Sequence, residues 1–183
     1  MKIYFATRNP GKIKAAKRVF DKTNIELEAI EIDYPEIQAD SSLEVAKHCA
    51  IQAAMDLGVP VMREDHSLFI NALHFPGPYT SYFEKRIPAA LLLEWLKNYD
   101  DRDGYFEIAT VYAKPDGSSL EFSYSVPITV ATEEKGDLQA GWARILALKG
   151  ESRTFAEYPE DDRISVWNKN FQKIADEIRK NAS

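Results

Sequence analysis

Three acidic residues and one lysine stand where the chain passes from apolar to polar runs: Lys12 in Thr7-Arg8-Asn9-Pro10-Gly11-Lys12, Glu36 in Asp33-Tyr34-Pro35-Glu36, and the adjacent pair Glu64-Asp65. Two or three carboxylates meeting a triphosphate imply Mg2+. That ion takes hard oxygen ligands, keeps several waters and bridges protein carboxylates to phosphate oxygens. Glu36, Glu64 and Asp65 are the expected metal ligands, and Lys12 would stabilise phosphoryl oxygens. A solvated turn is the plainer reading of Glu64-Asp65, because carboxylates are mostly exposed. His66 beside them is better read as a solvated or hydrogen-bonded residue than as a ligand, since Mg2+ prefers oxygen.

These groups need elements to carry them. Ile3 to Ala6 reads as a buried strand, Asn9-Pro10-Gly11 as a turn, and Lys12 to Phe20 as a helix with Ile13, Ala16, Val19 and Phe20 on one face. Lys12 and several free backbone N–H groups would then sit at a helix N-terminus, which attracts anions. This is the logic of a phosphate-binding loop without the GxxxxGK[ST] pattern. Ile25 to Ile32 alternates as a half-wet strand, and Ser41-Ser42 caps a helix whose apolar stripe ends at Gly58. Val59 to Met62 reads as a short buried strand ending at Arg63-Glu64-Asp65-His66, with a second apolar piece from Leu68 to Leu73. Acidic residues at a strand end suit an α/β site, because ligands bind beyond the carboxyl ends of strands. Pro88 opens a helix carrying Leu91, Leu92, Trp95 and Leu96. Tyr105–Ala113 and Leu120–Thr132 flank Pro115-Asp116-Gly117 as a hairpin, and Trp167, Phe171, Ile174 and Ile178 share one face of a closing helix.

Composition narrows the partners. The chain of 183 residues suits one domain spanning 1–183, and 23 basic against 29 acidic residues leave a net charge of −6. With no run of five or six like charges, neither nucleic acid nor a membrane surface is the expected partner. No stretch is apolar for the roughly 20 residues that cross a bilayer, no signal peptide is evident, and a cytoplasmic location is expected. The single cysteine, Cys49, lies in a helical pattern among small residues and reads as a buried structural thiol. Phe75, Tyr79, Tyr82 and Phe83 form an aromatic cluster that suits an interface, a cleft wall or a core alike.

Seven segments in order resemble one family. Thr7-Arg-Asn9-Pro-Gly-Lys12, Tyr34-Pro-Glu36-Ile-Gln, Ser42-Leu-Glu44-Val, Glu64-Asp65-His-Ser-Leu68, Asn71-Ala-Leu73, Phe75-Pro-Gly-Pro-Tyr79 and Thr154-Phe-Ala-Glu157 together resemble the inosine/xanthosine triphosphate pyrophosphatases. The resemblance implies a two-lobed α/β fold with a long central mixed sheet flanked by helices, a cleft between the lobes, and a homodimer. It also implies a Mg2+-dependent enzyme that hydrolyses a nucleoside triphosphate to the monophosphate and pyrophosphate. Carried over, Thr7, Asn9 and Lys12 match the phosphate-binding turn, Glu36 a metal-site carboxylate and Asp65 the catalytic acid, with Glu64 its acidic neighbour. Tyr79 or Trp142 would stack on the base.

The chain also departs from that pattern. Ala15 stands where the pattern Asn-x-x-Lys-x-x-Glu has an acid, Cys49 and Ser81 replace basic residues, and Ala143 replaces an Asp after Gly141-Trp142. Ser165-Val166-Trp167 stands where Ser-His-Arg would donate hydrogen bonds to a 6-keto purine. Altered base specificity is therefore expected, and the alternative is an impaired relative that binds a nucleotide or a protein partner.

Overall fold

The computed structural model of the protein describes residues 1–32, 34–35 and 37–181. The first third alternates: β1 (Lys2–Ala6), α1 (Pro10–Phe20), β2 (Glu26–Ile30), α2 (Ser42–Leu57) and β3 (Val61–Ile70). There follow β4 (Phe75–Gly77), the short helices α3 (Thr80–Glu84) and α4 (Ala89–Trp95), the long strands β5 (Asp103–Ala113) and β6 (Ser119–Val130), and β7 (Leu146–Leu148). Helices α5 (Ile164–Trp167) and α6 (Lys169–Asn181) close the chain. Hydrogen-bonded neighbours run β2-β1-β3-β5-β6-β7, with β4 paired to β3. β1 is parallel to β2 and β3, whereas β3–β4 and β6–β7 are antiparallel. The sheet is mixed and flanked by helices, as the sequence leads one to expect.

The chain forms two compact units, Met1–Asp65, Ile108–Tyr124 and Ile164–Ser183 in the first, His66–Glu107 and Ser125–Arg163 in the second. In the first unit, side-chain alternation along the strands builds two cores, because successive residues face opposite sides of a sheet. Ile3, Phe5, Met62 and Tyr112 face one side and pack on Ala16 and Phe20 of α1 and on Phe171 and Ile174 of α6. Their neighbours Ala6, Val61, Val111 and Ala113 face the other side and pack on Ala46, Ala50, Ala53 and Ala54 of α2. Cys49 on the same helix is buried, as expected of a structural thiol. Helix α2 starts at Ser41, whose hydroxyl accepts the Glu44 N–H at 3.2 Å, and stops at Gly58, whose φ of 65° is left-handed.

One expectation about the strands is corrected. The charged run Arg63-Glu64-Asp65-His66 does not end a strand; β3 continues through it from Val61 to Ile70. The alternating faces of a strand separate the like-signed neighbours Glu64 and Asp65, and the buried Glu64 receives a hydrogen bond inside the unit. None of the helices among the described residues is long and apolar enough to cross a membrane.

Phe171 joins α6 to the sheet: it is fully buried and meets Phe5 edge-on, with ring centres 5.5 Å apart and planes at 75°. Phe171→Ala is expected to lower unfolding stability by about 3–5 kcal/mol, as emptying a large aromatic site does. Urea denaturation of the variant beside the parent protein measures it.

Candidate active site

The turn after β1 is organised by its own side chains. Asn9 caps α1: its Oδ1 accepts the N–H groups of Gly11 at 2.9 Å and Lys12 at 3.2 Å, with Pro10 at the first helical position. Asn9 N–H donates to Thr7 Oγ1 at 3.1 Å, and Ile13 N–H donates to Asn9 O at 3.1 Å. The expectation of several free N–H groups here is thus corrected, because the cap consumes those of residues 9, 11, 12 and 13 and Pro10 has none. The remaining attraction for an anion comes from the positive end of the helix dipole and from Lys12.

Lys12 reaches the neighbouring strand. Its Nζ donates to the carbonyl oxygen of Glu64 at 2.9 Å, which holds the ammonium over the middle of β3. Arg63 adds a second cation close by, its Nη1 donating to Ala6 O at 3.0 Å at the end of β1. Nothing in the residue pattern assigned Arg63 a role; it becomes visible once β1 and β3 pair in parallel with Phe5 opposite Met62.

Glu64 and Asp65 belong to different surroundings. Glu64 is 2% exposed and lies on the same strand face as Met62, where its Oε2 accepts a hydrogen bond from Thr110 Oγ1 at 3.0 Å. Asn170, fully buried at the start of α6, donates through Nδ2 to Ile108 O at 2.9 Å, Phe122 O at 3.0 Å and Thr110 Oγ1 at 3.2 Å. With Asn170 donating into it, the Thr110 hydroxyl has its own proton left for Glu64. Asn170 Oδ1 has no hydrogen-bond partner among the described residues, and turning the amide over would set it against two carbonyls. Tyr124 closes this interior, donating to Val166 O at 2.7 Å; burial first, then the negative charge of Glu64, pushes its phenol above the usual tyrosine range. Thr110 and Asn170 carried no sequence signal, because they lie 46 and 106 residues beyond Glu64 and only the packing of β5 and α6 brings them to it.

The half-buried Asp65 follows Glu64 on the strand and so takes the opposite face. The side chains of Glu64 and Asp65, both expected as metal ligands, therefore lie on opposite faces of β3. Glu36, the third expected ligand, lies outside the described residues. Among the described residues no group of three or more His, Cys, Asp or Glu side chains converges on one point. A Mg2+ carried in on a triphosphate needs fewer, since one or two carboxylates suffice when phosphates and waters complete the shell. Asp65 fits that requirement, whereas Glu64 is enclosed and already hydrogen-bonded.

The residues expected to meet a base lie in the second unit and differ from each other. Tyr79 is 41% exposed and precedes α3. Trp142 is 1% exposed; its indole N–H donates to Ile87 O at 2.8 Å and its backbone N–H to Glu84 Oε1 at 3.3 Å. Its ring centre lies 6.4 Å from that of Phe75, which also meets Phe83 at 4.6 Å and Trp95 at 5.9 Å. In this arrangement Trp142 is a core residue with no open face for a base, and Phe75 is likewise packed, leaving Tyr79 as the accessible aromatic of the pair.

The departures in the first unit also acquire a structural meaning. Ala15 is 2% exposed within the α1–α6 core, and Cys49 is 6% exposed on α2. Val166 and Trp167 form the end of α5, with Trp167 partly buried against the same core.

The whole chain matches proteins of one family. Residues 3–177 match the Ham1 family. A protein of Methanopyrus kandleri named dITP/XTP pyrophosphatase is 36% identical over all of this chain and 99% of its own length. One of the same name from Thermococcus kodakarensis is 34% identical over 99% of each. The structure of a HAM1 protein from Coxiella burnetii superposes with a TM-score of 0.83 over 98% of this chain and 99% of that one, at 21% identity. Through the nearly end-to-end match in sequence and the matching fold, the chain belongs to the Ham1 family.

Proposed function

We propose that the protein is a Mg2+-dependent nucleoside triphosphate pyrophosphatase that cleaves between the α- and β-phosphates. The observation that carries this reading is Lys12, which extends from the capped start of α1 and is fixed by its hydrogen bond to the carbonyl oxygen of Glu64, the residue before Asp65 on β3. The full-length likeness to proteins named dITP/XTP pyrophosphatase supports the substrate class. Thr7, Asn9 and Lys12 hold the phosphates, the lysine by its charge and the turn by shape and helix dipole. Asp65 orients a water so that its oxygen bonds the α-phosphorus while the bond to the pyrophosphate oxygen breaks, and it takes the water's proton. Mg2+, held by the phosphates with Asp65 and Glu36, would neutralise phosphate charge and lower the pKa of bound water.

Glu64 serves this site as an anchor. Its side chain is tied to Thr110, and through Thr110 to Asn170, while its carbonyl oxygen holds Lys12. A purine preference altered from that of the relatives follows from Val166 and Trp167, which bring no donor but the indole N–H to a keto edge. A second reading, nucleotide binding without turnover, is favoured by Ala15 and Cys49, which are core residues where phosphate or metal contacts would stand. The exposed Tyr79, Tyr82, Leu91 and Trp95 of the second unit support a homodimer through an apolar patch, and the buried single cysteine suits the cytoplasm.

Three measurements bear on these proposals. Pyrophosphate release from ribo- and deoxyribonucleoside triphosphates, inosine and xanthosine included, is expected with Mg2+ and to vanish with a chelator or in Asp65→Asn; a folded parent protein silent across the panel selects the binding reading. Thr110→Val is expected to lower kcat about tenfold with KM little changed, and Thr110→Ser to recover most of the loss, as for a lost hydrogen bond to a charged group. Sedimentation at micromolar concentration is expected to show a dimer, and a monomer there removes that proposal.

A further inference from the structure

A cavity of about 310 Å³ opens in the first unit beside the turn joining β5 to β6, lined by Met1, Tyr112, Lys114, Ser118, Leu120 and Ile178. It lies apart from the candidate active site. Met1 and Thr7 bracket the two ends of β1, and the six residue steps between them span about 20 Å. Its volume is that of a pocket for a small ligand with one or two rings.

The polar groups around it are unevenly committed. Ser118 Oγ donates to Asp116 Oδ1 at 2.6 Å and the adjacent Ser119 Oγ to Glu121 Oε1 at 2.7 Å, so both hydroxyls are engaged. Tyr112 is different: the residue is 3% exposed, its ring packs in the α1–α6 core, and its hydroxyl makes no hydrogen bond among the described residues. No protein acceptor among the described residues takes the proton of this hydroxyl, and Tyr112 lines the cavity, so the phenol is left available to a ligand there. Burial also pushes this phenol up, which keeps its proton in place at neutral pH. Lys114 supplies a cation at the rim and forms no ion pair among the described residues; its charge adds only a minor share to the lowering of the Asp116 carboxyl, after the hydrogen bonds from Ser118. Met1, Leu120 and Ile178 provide the apolar wall.

We propose that this cavity is a second binding site, for a small monocarboxylate with an apolar ring, whose carboxylate accepts from the Tyr112 hydroxyl and pairs with the Lys114 ammonium. An apolar body matches the wall, and among oxygen acceptors a carboxylate makes the strongest bonds with a phenol and an ammonium together. The site does not depend on the pyrophosphatase reading.

Titrating indole-3-carboxylate into the 15N-labelled full chain, followed by NMR, tests it. Saturation is expected below about 1 mM, with shifts at Tyr112, Leu120 and Ile178 and none at Lys12 or Asp65. Tyr112→Phe is expected to weaken binding about tenfold, Lys114→Ala about fivefold, and neutral indole to bind about tenfold more weakly than its carboxylate. Lys114 is exposed, so its variant keeps the fold even if Tyr112→Phe does not. Absence of saturable shifts, equal affinity in the parent and the Lys114 variant, or shifts confined to the Lys12 turn overturns the proposal.

Discussion

The enclosed carboxyl group of Glu64 is the constraint around which the first unit is arranged. A carboxyl group at 2% exposure is costly unless hydrogen-bonded, and the hydrogen bond comes from Thr110, itself set by Asn170. Satisfying it requires β3 beside β5 and α6 across the face that Phe171 seals. The same residue faces outward through its backbone, where its carbonyl oxygen receives Lys12. One strand position therefore couples the interior of the unit to the cation of the candidate site. Asn170 Oδ1 bears part of the cost, buried without a partner among the described residues.

In the turn after β1 the N–H groups at the start of α1 are taken up by the chain's own cap. Asn9 and Thr7 take up the donors that a glycine-rich loop would present to phosphate. Rigidity replaces open donors: the cap holds Lys12 in place, and the helix dipole adds its field. A site built this way relies on charge more than on a cradle of amides.

Departures from the family pattern follow the packing. Ala15 lies in the α1–α6 core, and Cys49 is buried on α2, whose small residues lie against the opposite sheet face. In the second unit, Trp142 spends both of its N–H groups on Ile87 and Glu84 and packs beside Phe75. A tryptophan in a polar loop looks like a platform for a base, yet the same ring can close a core, and only its neighbours decide which.

The sequence by itself determined the parts governed by local chemistry. Apolar periodicity placed β1, α1, α2 and the closing helix, Pro115-Asp116-Gly117 marked the β5–β6 turn, Ser41 marked a helix start, and the ordered motifs identified the family, whereas the role of Asn9 as the cap of α1 emerged only in the structure. Tertiary structure decided what depends on distance along the chain. It drew β3 through the charged run at 63–66, put Glu64 and Asp65 on opposite faces, and brought Thr110 and Asn170 to Glu64. It also enclosed Trp142 and placed Tyr112 in the wall of a cavity. Propensity and spacing act over a turn or a strand, whereas burial and hydrogen-bond partners are set by residues tens of positions away that meet only when the sheet forms.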